Sequence, residues 1–322
     1  MQAPGELVRK AARRLPRPVR DGIRAARRRY RSARYRAREG LRPTPLAGED
    51  VERALRDCGL SRGDACFVQA AMSAFGSFER GPATVVEALE AVVGSQGLVT
   101  MPAFPLSGPA IEHLAADPVF DVRSTPSRMG AISEEFRRRE GTLRSIHPTH
   151  SVSARGRGAA SIVAGHERAA TPFGEGTPFP RIAAADALQL FFGCGTGVIT
   201  MYHCFECTRE PPFPLDVFAA RRFDARCRGW DGEELVVRTL VHNPRLAPGR
   251  IDTNPRLQRA FREAILGAGG RSVRLGRGEI LAIRLSALFA EFERLLGRGI
   301  TIYDVPVPAE PPALRPQDRV PA

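Results

Sequence analysis

No stretch of this 322-residue chain approaches the roughly 18 consecutive apolar residues that a membrane span requires. No apolar segment follows the positive charge near its start either, so secretion through a cleaved signal is not expected. Cysteines number six and lie scattered (Cys58, Cys66, Cys194, Cys204, Cys207, Cys227), which excludes a small disulfide-stapled scaffold and fits reduced thiols in a cytoplasmic protein. Lysine is almost missing. Lys10 is the only one among 48 basic residues, so the chain uses arginine by default and a single arginine carries little information. A Walker lysine is absent, as is a G-x-G-x-x-G after a strand, which leaves nucleotide-hydrolysing and dinucleotide folds without support. What the chain does have is 43% hydrophobic residues over a length that suffices for a sizeable core.

The formal charge of +13 suggests nucleic acid until it is divided along the sequence. Residues 1–45 hold 15 Lys and Arg against Glu6, Asp21 and Glu39, a net of +12, and residues 46–322 hold 33 against 32, a net of +1. The body is therefore neutral, and specific nucleic-acid binding is not expected of it. The arm, 1–45, carries arginines on most faces of any helix drawn through it and lacks an apolar stripe, so it reads as a helical or disordered appendage. Its partner would be an anionic surface or polymer, including a membrane surface. A folded domain is expected over 46–304, followed by a proline-rich disordered tail at 305–322.

Within that domain helices and strands alternate. "VERALRDCGL" has helical spacing, "DACFVQAAM" and "GLVTMPAF" are buried strands, and "GPATVVEALEAVVG" is a helix opened by proline and closed by glycine. "ISEEFRRRE" and "RLQRAFREAILGAGG" are further helices, "ALQLFFGCGTG" is a strand ending in glycines, and "ELVVRTLVH" has strand composition. The expected class is α/β: helices flanking a mixed central sheet, with a smaller β-containing part in the C-terminal half.

Two constellations can carry chemistry. In "RSIHPTHSVSARG", 144–156, His147 and His150 flank Pro148 among hydroxyl residues, an irregular loop of the kind that presents groups to a ligand; a polar turn whose histidines bond backbone groups is the alternative. In "GCGTGVITMYHCFEC", 193–207, a helix after the strand would place Thr200, His203 and Glu206 on one face, a general base with an orienting carboxylate. His203, Cys204 and Cys207 also form H-C-x-x-C, but no second pair closes a zinc site, so core cysteines are the better reading and no metal is expected. His113 has no evident partner and reads as a surface or loop residue.

Taken in order, "VQAAMSAFG", "GPATVVEALEAVVGSQGLVTMPAF", "TPSRMGAISEEFR", "RSIHPTHSVSARG", a histidine followed by "FGEGTPF", and "ITMYHCFE" resemble the aminoglycoside 3-N-acetyltransferase family over roughly residues 50–300. The resemblance implies an α/β fold distinct from the common GCN5-related acetyltransferase fold. It also implies direct transfer of an acetyl group from acetyl-CoA to an amine of an aminoglycoside, aminocyclitol or amino sugar. His203 falls on the family's catalytic histidine and Glu206 on its carboxylate, with donors near Thr200 or Ala71 to Ser73 for the developing oxyanion. By the same resemblance coenzyme A would run past Gln69, Ala71, Ser73, Gly76, Thr125, Ser127 and Arg128. Arg144, Ser145, His147, Ser151 and His166 would wall the acceptor cleft. Two departures stand out. The family usually has a histidine and a serine where this chain has Gln69 and Ala71, which leaves open a catalytically impaired binding or scaffold protein. And where acceptor-binding carboxylates are sought, this chain has His242, Arg245 and Arg250 before Asp252, which fits an amino sugar of a biosynthetic or polysaccharide pathway at least as well as a polycationic antibiotic.

Overall fold

A computed structural model describes residues 44–106 and 108–308. The arm of 1–45 and the tail of 305–322 fall outside them, apart from residues 44, 45 and 305–308. In chain order the elements are α1 (Gly48–Asp57), β1 (Ala65–Ala70), α2 (Pro82–Val93), β2 (Leu98–Pro102), α3 (Ala110–Ala115), β3 (Phe120–Asp121), α4 (Ala131–Arg138), β4 (Leu143–Arg144), β5 (Val152–Gly156) and α5 (Ala159–Val163). They continue with α6 (Pro178–Ala184), β6 (Leu188–Phe192), α7 (Met201–Thr208), β7 (Phe223–Arg228), β8 (Glu234–Thr239), α8 (Pro255–Gly267), β9 (Arg271–Leu275), β10 (Gly278–Arg284) and α9 (Leu285–Gly297). Among the described residues no helix is long and apolar enough to cross a membrane.

Seven strands form one sheet in the order β4-β5-β2-β1-β6-β10-β9. Its centre is parallel, with β1 between β2 and β6; the flanking strands β5, β4, β10 and β9 join antiparallel. The central strands are apolar on both faces because both are covered. Along β1, Cys66 and Val68 enter one core with α1, α2 and α4, and Phe67 enters the other with α6, α7, α8 and α9. That alternation follows from the two-residue period of a strand, and continuous apolar runs are the pattern of a sheet buried on both sides. Helix ends follow their sequence signals: Pro82 opens α2 and Gly94 closes it, and Asn254 caps α8 by accepting the N–H groups of Arg256 and Leu257. A second sheet, β3-β7-β8, forms the smaller β part expected in the C-terminal half, with one difference. Its edge strand, Phe120–Asp121, comes from the N-terminal half and pairs with Cys227 and Arg228.

This topology decides where a site can form. The parallel strands β1, β2 and β6 end at Ala70, Pro102 and Phe192 on one edge of the sheet. Because β5 runs antiparallel to β2 and starts opposite Pro102, the loop 145–151 is delivered to that same edge. Open α/β sheets bind ligands beyond the carboxyl ends of their strands. The exit of β6 is held tightly there. Gly193 adopts φ +76°, and a Cβ on it would lie 2.4 Å from the Phe75 ring, so only glycine brings this strand end against the loop after β1.

Candidate active site

The helix expected after β6 forms as α7, with Thr200 at its N-cap position. Spacing of three residues then brings the Glu206 carboxylate to 2.9 Å from Nδ1 of His203. The His203 side chain is 14% exposed and that of Glu206 is 0%, so the imidazole is the edge of the pair that a reactant can reach. A group not anticipated from spacing completes the arrangement: Nε2 of His242, from the segment after β8, lies 3.0 Å from the same Nδ1. Nε2 of His203 makes no hydrogen bond among the described residues.

Burial drives this cluster toward neutral forms. It pushes the Glu206 carboxyl up to about 8, against the pull of His242, Tyr303 and Arg250, and pushes the imidazole of His203 below its ordinary 6.5. His242 is likewise held well below 6.5, by burial first and then by His203. His203 Nδ1, a Glu206 oxygen and His242 Nε2 lie within 4.8 Å of one another, the one group among the described residues whose donors could share a metal ion. Cys204 and Cys207 take no part in it; both are free thiols, and Cys204 is buried in the core behind α7.

Five of the six histidines gather on this side of the sheet. Phe173 is the hub, with ring centroids 4.6 Å from His150, 5.0 Å from His203 and 5.6 Å from His242. The loop 144–156 therefore does reach His203, but through His150 and not through the residues expected to wall a cleft. Arg144, Ser145, His147, Ser151 and His166 are each at most 1% exposed, which corrects the expectation of a lining: they are the frame behind it. Arg144 donates to the Ser151 hydroxyl and to the carbonyls of Thr125 and Ala103, and its guanidinium lies 4.7 Å over the Phe120 ring. Burial lowers its pKa to about 9, still well above neutrality, so it remains a buried cation satisfied by oxygens. His147 Nδ1 accepts the N–H groups of Thr149 and His150, and its Nε2 faces Thr239 Oγ1 at 3.1 Å. His166 bonds Ser145 Oγ through Nδ1 at 2.9 Å and the Pro172 carbonyl through Nε2 at 3.1 Å. This is the polar-turn alternative for the loop, with His150 as the exception. His113 is partly buried with the Pro148 carbonyl near its ring, and burial lowers its pKa below the ordinary 6.5.

The residues expected along coenzyme A are adjacent. Gly130, at the start of α4, sits so close to the end of β1 that a Cβ on it would lie 3.5 Å from the Ala70 carbonyl. That contact joins the 125–130 segment to the end of β1, just before the turn at Met72–Ala74. Ser73 and Arg128 are exposed there, Ser127 is buried with its N–H on Glu134 and its hydroxyl 3.0 Å from Ser133, and Thr125 bonds within the turn after β3. Gly76 is buried at φ +116° against Arg277. The Ala71 N–H is taken by the Phe192 carbonyl, whereas the N–H groups of Met72 and Ser73 have no acceptor among the described residues. Gln69 does not face outward. Its amide donates to Thr200 Oγ1 at 2.9 Å and to the Val198 carbonyl, and its oxygen lies 3.4 Å from the Thr200 N–H. Thr200 Oγ1 in turn donates to the Val198 carbonyl at 3.3 Å. Gln69 and Thr200 instead bolt β1 to the head of α7.

The chain belongs to the aminoglycoside 3-N-acetyltransferase family, whose pattern it matches over residues 67–297. Aminoglycoside N(3)-acetyltransferase VII of Streptomyces paromomycinus is 30% identical over 183 residues, 52% of this chain and 62% of that protein. Aminoglycoside N(3)-acetyltransferase IX of Micromonospora chalcea is 30% identical over 174 residues, 49% of this chain and 61% of that protein. The chain thus matches less than two thirds of the length of these relatives. Among solved structures, aminoglycoside acetyltransferase AAC(3)-Xa superposes with a TM-score of 0.67 at 23% identity, covering 80% of this chain and 94% of that one. The binary complex of AAC-IIIb with CoASH gives 0.66 at 24%, covering 82% and 100%. At that identity the likeness is one of fold, and it is the fold expected, distinct from the GCN5-related one.

Proposed function

We propose that this protein is an acetyl-CoA-dependent N-acetyltransferase that acts on an amine of an aminocyclitol or amino sugar, with His203 as general base. The observation that carries the reading is the placement of one imidazole: Nδ1 held by buried groups, Nε2 without a hydrogen bond among the described residues, on the helix whose head is tied through Thr200 to Gln69 near the carboxyl end of β1. In AAC-IIIb a structure with CoASH is known, and coenzyme A would lie here along Ser73, Gly76 and Thr125 to Arg128. The amine nitrogen attacks the thioester carbonyl, its proton passes to His203 Nε2, and the expelled thiolate takes that proton up as the free thiol. Atoms and charge balance without a covalent enzyme intermediate. The Met72 and Ser73 N–H groups supply oxyanion donors, in place of Thr200. Low affinity for protons keeps His203 in its basic form at neutral pH.

The charge around the base favours an acceptor with few amines. Arg250 pairs with Asp252 at 2.9 Å, Glu206 is driven neutral by burial, and His242 is neutral, so the site has no surplus of carboxylates for a polycation. The basic arm of 1–45, outside the described residues, would hold such an enzyme near an anionic surface.

The test is thiol release from acetyl-CoA over a panel running from single amino sugars to aminoglycosides, with wild type and His203→Ala. Loss of a general base lowers kcat by about 10²–10⁴-fold, with acetyl-CoA binding retained by calorimetry. Equal rates in the two proteins remove the enzyme reading and leave a binding protein.

A further inference from the structure

Arg250 is a permanent cation whose donors are not all spent. Its Nε donates to one oxygen of Asp252 at 2.9 Å and its Nη2 to the other at 3.2 Å, so both carboxylate oxygens are engaged. A guanidinium has more N–H groups than that pair uses. Nη1 makes no hydrogen bond among the described residues, and the side chain is 33% exposed. The pair is neutral as a whole, yet what it leaves for a ligand is a donor edge of the shape that a carboxylate or phosphate takes up. Backbone holds that edge in place. Gly249, at φ +73°, sits so close to Asp304 that a Cβ on it would lie 2.8 Å from the Asp304 Cβ. The Ile251 N–H donates to the Ile302 carbonyl at 2.8 Å and the Thr253 N–H to the Arg250 carbonyl at 2.9 Å, and Ile251 is buried in the core that also holds Tyr202 and Phe205 of α7.

The charge of Arg250 acts on His150, His203, Glu206, His242 and Tyr303. Those side chains come from the loop 145–151, from α7, from the segment after β8 and from the segment after α9, and they converge around His203. The guanidinium therefore stands in the cluster and not off to one side of it. Asp252 is the other charge that acts on His203 from this segment, and the Glu206 side chain is 0% exposed behind the imidazole, out of reach of a ligand. Residues 240–254 carry Arg245 and Arg250 against Asp252, a net of +1. We infer that Arg250 is a specificity-determining residue and that the acceptor is an amino sugar bearing an oxyanion, a carboxylate or a phosphate, held by the free edge of the guanidinium while the amine meets His203. The inference rests on the acetyltransferase reading given above and narrows its substrate class. A polycation is disfavoured at the same place, because its amines meet donors and a like charge where they need acceptors.

Thiol release from acetyl-CoA is measured with glucosamine, glucosamine 6-phosphate and 2-amino-2-deoxyglucuronic acid, which share a ring and an amine and differ in the anion, and with sisomicin as the polycation. Wild type should favour an anionic sugar over glucosamine by about 10–100-fold in kcat/KM, the worth of a charge-assisted pair. The phosphate and carboxylate arms separate the two sources of the oxyanion. In Arg250→Gln the ratio falls toward one, and the loss appears in KM. Asp252→Asn, which releases the rest of the guanidinium, raises the ratio, an outcome that a misfolded site cannot produce. Calorimetry with the two anionic sugars reads binding without turnover, and Arg250→Gln should weaken it by the same factor. Equal kcat/KM for glucosamine and both anionic sugars, a preference for the anion that survives Arg250→Gln, or a wild type that favours sisomicin over both anionic sugars overturns the inference. So does a failure of both anionic sugars to bind. Arg250-dependent binding of an anionic sugar in a protein with no His203-dependent thiol release leaves the Arg250 site standing and removes the acetyltransferase reading.

Discussion

Acidification should unfold this protein early, and the slope can be worked from three side chains. His147, His150 and His166 are 1%, 7% and 0% exposed, and burial holds each below the ordinary imidazole value of 6.5, His166 down to about 3. The neutral ring is also required by geometry, because His147 Nδ1 accepts two backbone N–H groups that an imidazolium cannot accept. A histidine whose folded pKa is lowered binds its proton only on unfolding. Its contribution to stability is thus complete above 6.5 and is lost as pH falls from 6.5 toward the folded value. Each such group removes about 1.4 kcal/mol per pH unit in that window, so the three together remove about 4. Glu206 opposes them. Its folded pKa, raised to about 8 from 4.5, makes the folded state bind the extra proton between those limits and returns about 1.4 kcal/mol per unit as pH falls. The net is about 3 kcal/mol per pH unit below pH 6, against a total stability of about 5–15 kcal/mol for a domain. His203 and His242 are lowered in the same way, and counting them at about 1.4 each raises the net to about 5–6 kcal/mol per pH unit. Urea unfolding at half-unit steps from pH 7.5 to 5.0 measures it, and His166→Gln should reduce the slope by about 1.4 kcal/mol per unit whatever it does to the absolute stability. A flat profile, or parallel profiles for wild type and His166→Gln, would refute the reasoning.

Two further substitutions test the frame. Gln69→Leu keeps the volume but cuts the link between β1 and the head of α7, and leaves Thr200 without its donor. It should cost about 1–3 kcal/mol by chemical denaturation and lower kcat more than KM, because the proposed base, His203, is carried on that helix; unchanged turnover would show that α7 is positioned without it. Arg144→Met leaves the Thr125 carbonyl without its buried donor and takes from the Ala103 carbonyl one of its two, the Ser151 hydroxyl being the other. A loss of about 3–5 kcal/mol is expected from denaturant midpoints, and a loss under 1 kcal/mol would mean that water replaces the guanidinium.

How much of this was legible in the sequence follows the range of each interaction. His203 and Glu206 were, because three residues along a helix is a local distance and α7 could be placed from the strand and glycines before it. The central strands were, because double burial writes itself as apolar runs such as "LQLFF". His242 was visible as a histidine but not as a neighbour of His203: it lies 39 residues away and arrives through the pairing of β7 with β8 and a bridge to Phe218. The two-residue strand Phe120–Asp121 has too little sequence to carry a period, and only its partner, 107 residues on, makes it a strand. Arg144 and His166 were misplaced for a different reason. Polar and charged residues in a loop read as facing outward, and nothing local says that backbone carbonyls will satisfy them inside.

The same inward turn bears on the departure at Gln69 and Ala71. If Gln69 faced the thioester, its amide would be a substitute donor there and the loss of the family's histidine and serine would be a change in chemistry. It faces α7 instead, with its nitrogen and oxygen both spent on Thr200 and the residues beside it. Ala71, lacking a hydroxyl and with its N–H given to Phe192, contributes neither donor nor acceptor. What the edge of β1 retains for a developing oxyanion is backbone, the N–H groups of Met72 and Ser73, and a backbone donor does not depend on which side chains the loop carries. On the proposed function, the substitution removes side-chain assistance while His203 and the main-chain N–H groups of Met72 and Ser73 stay in place, so slow turnover is the expected outcome.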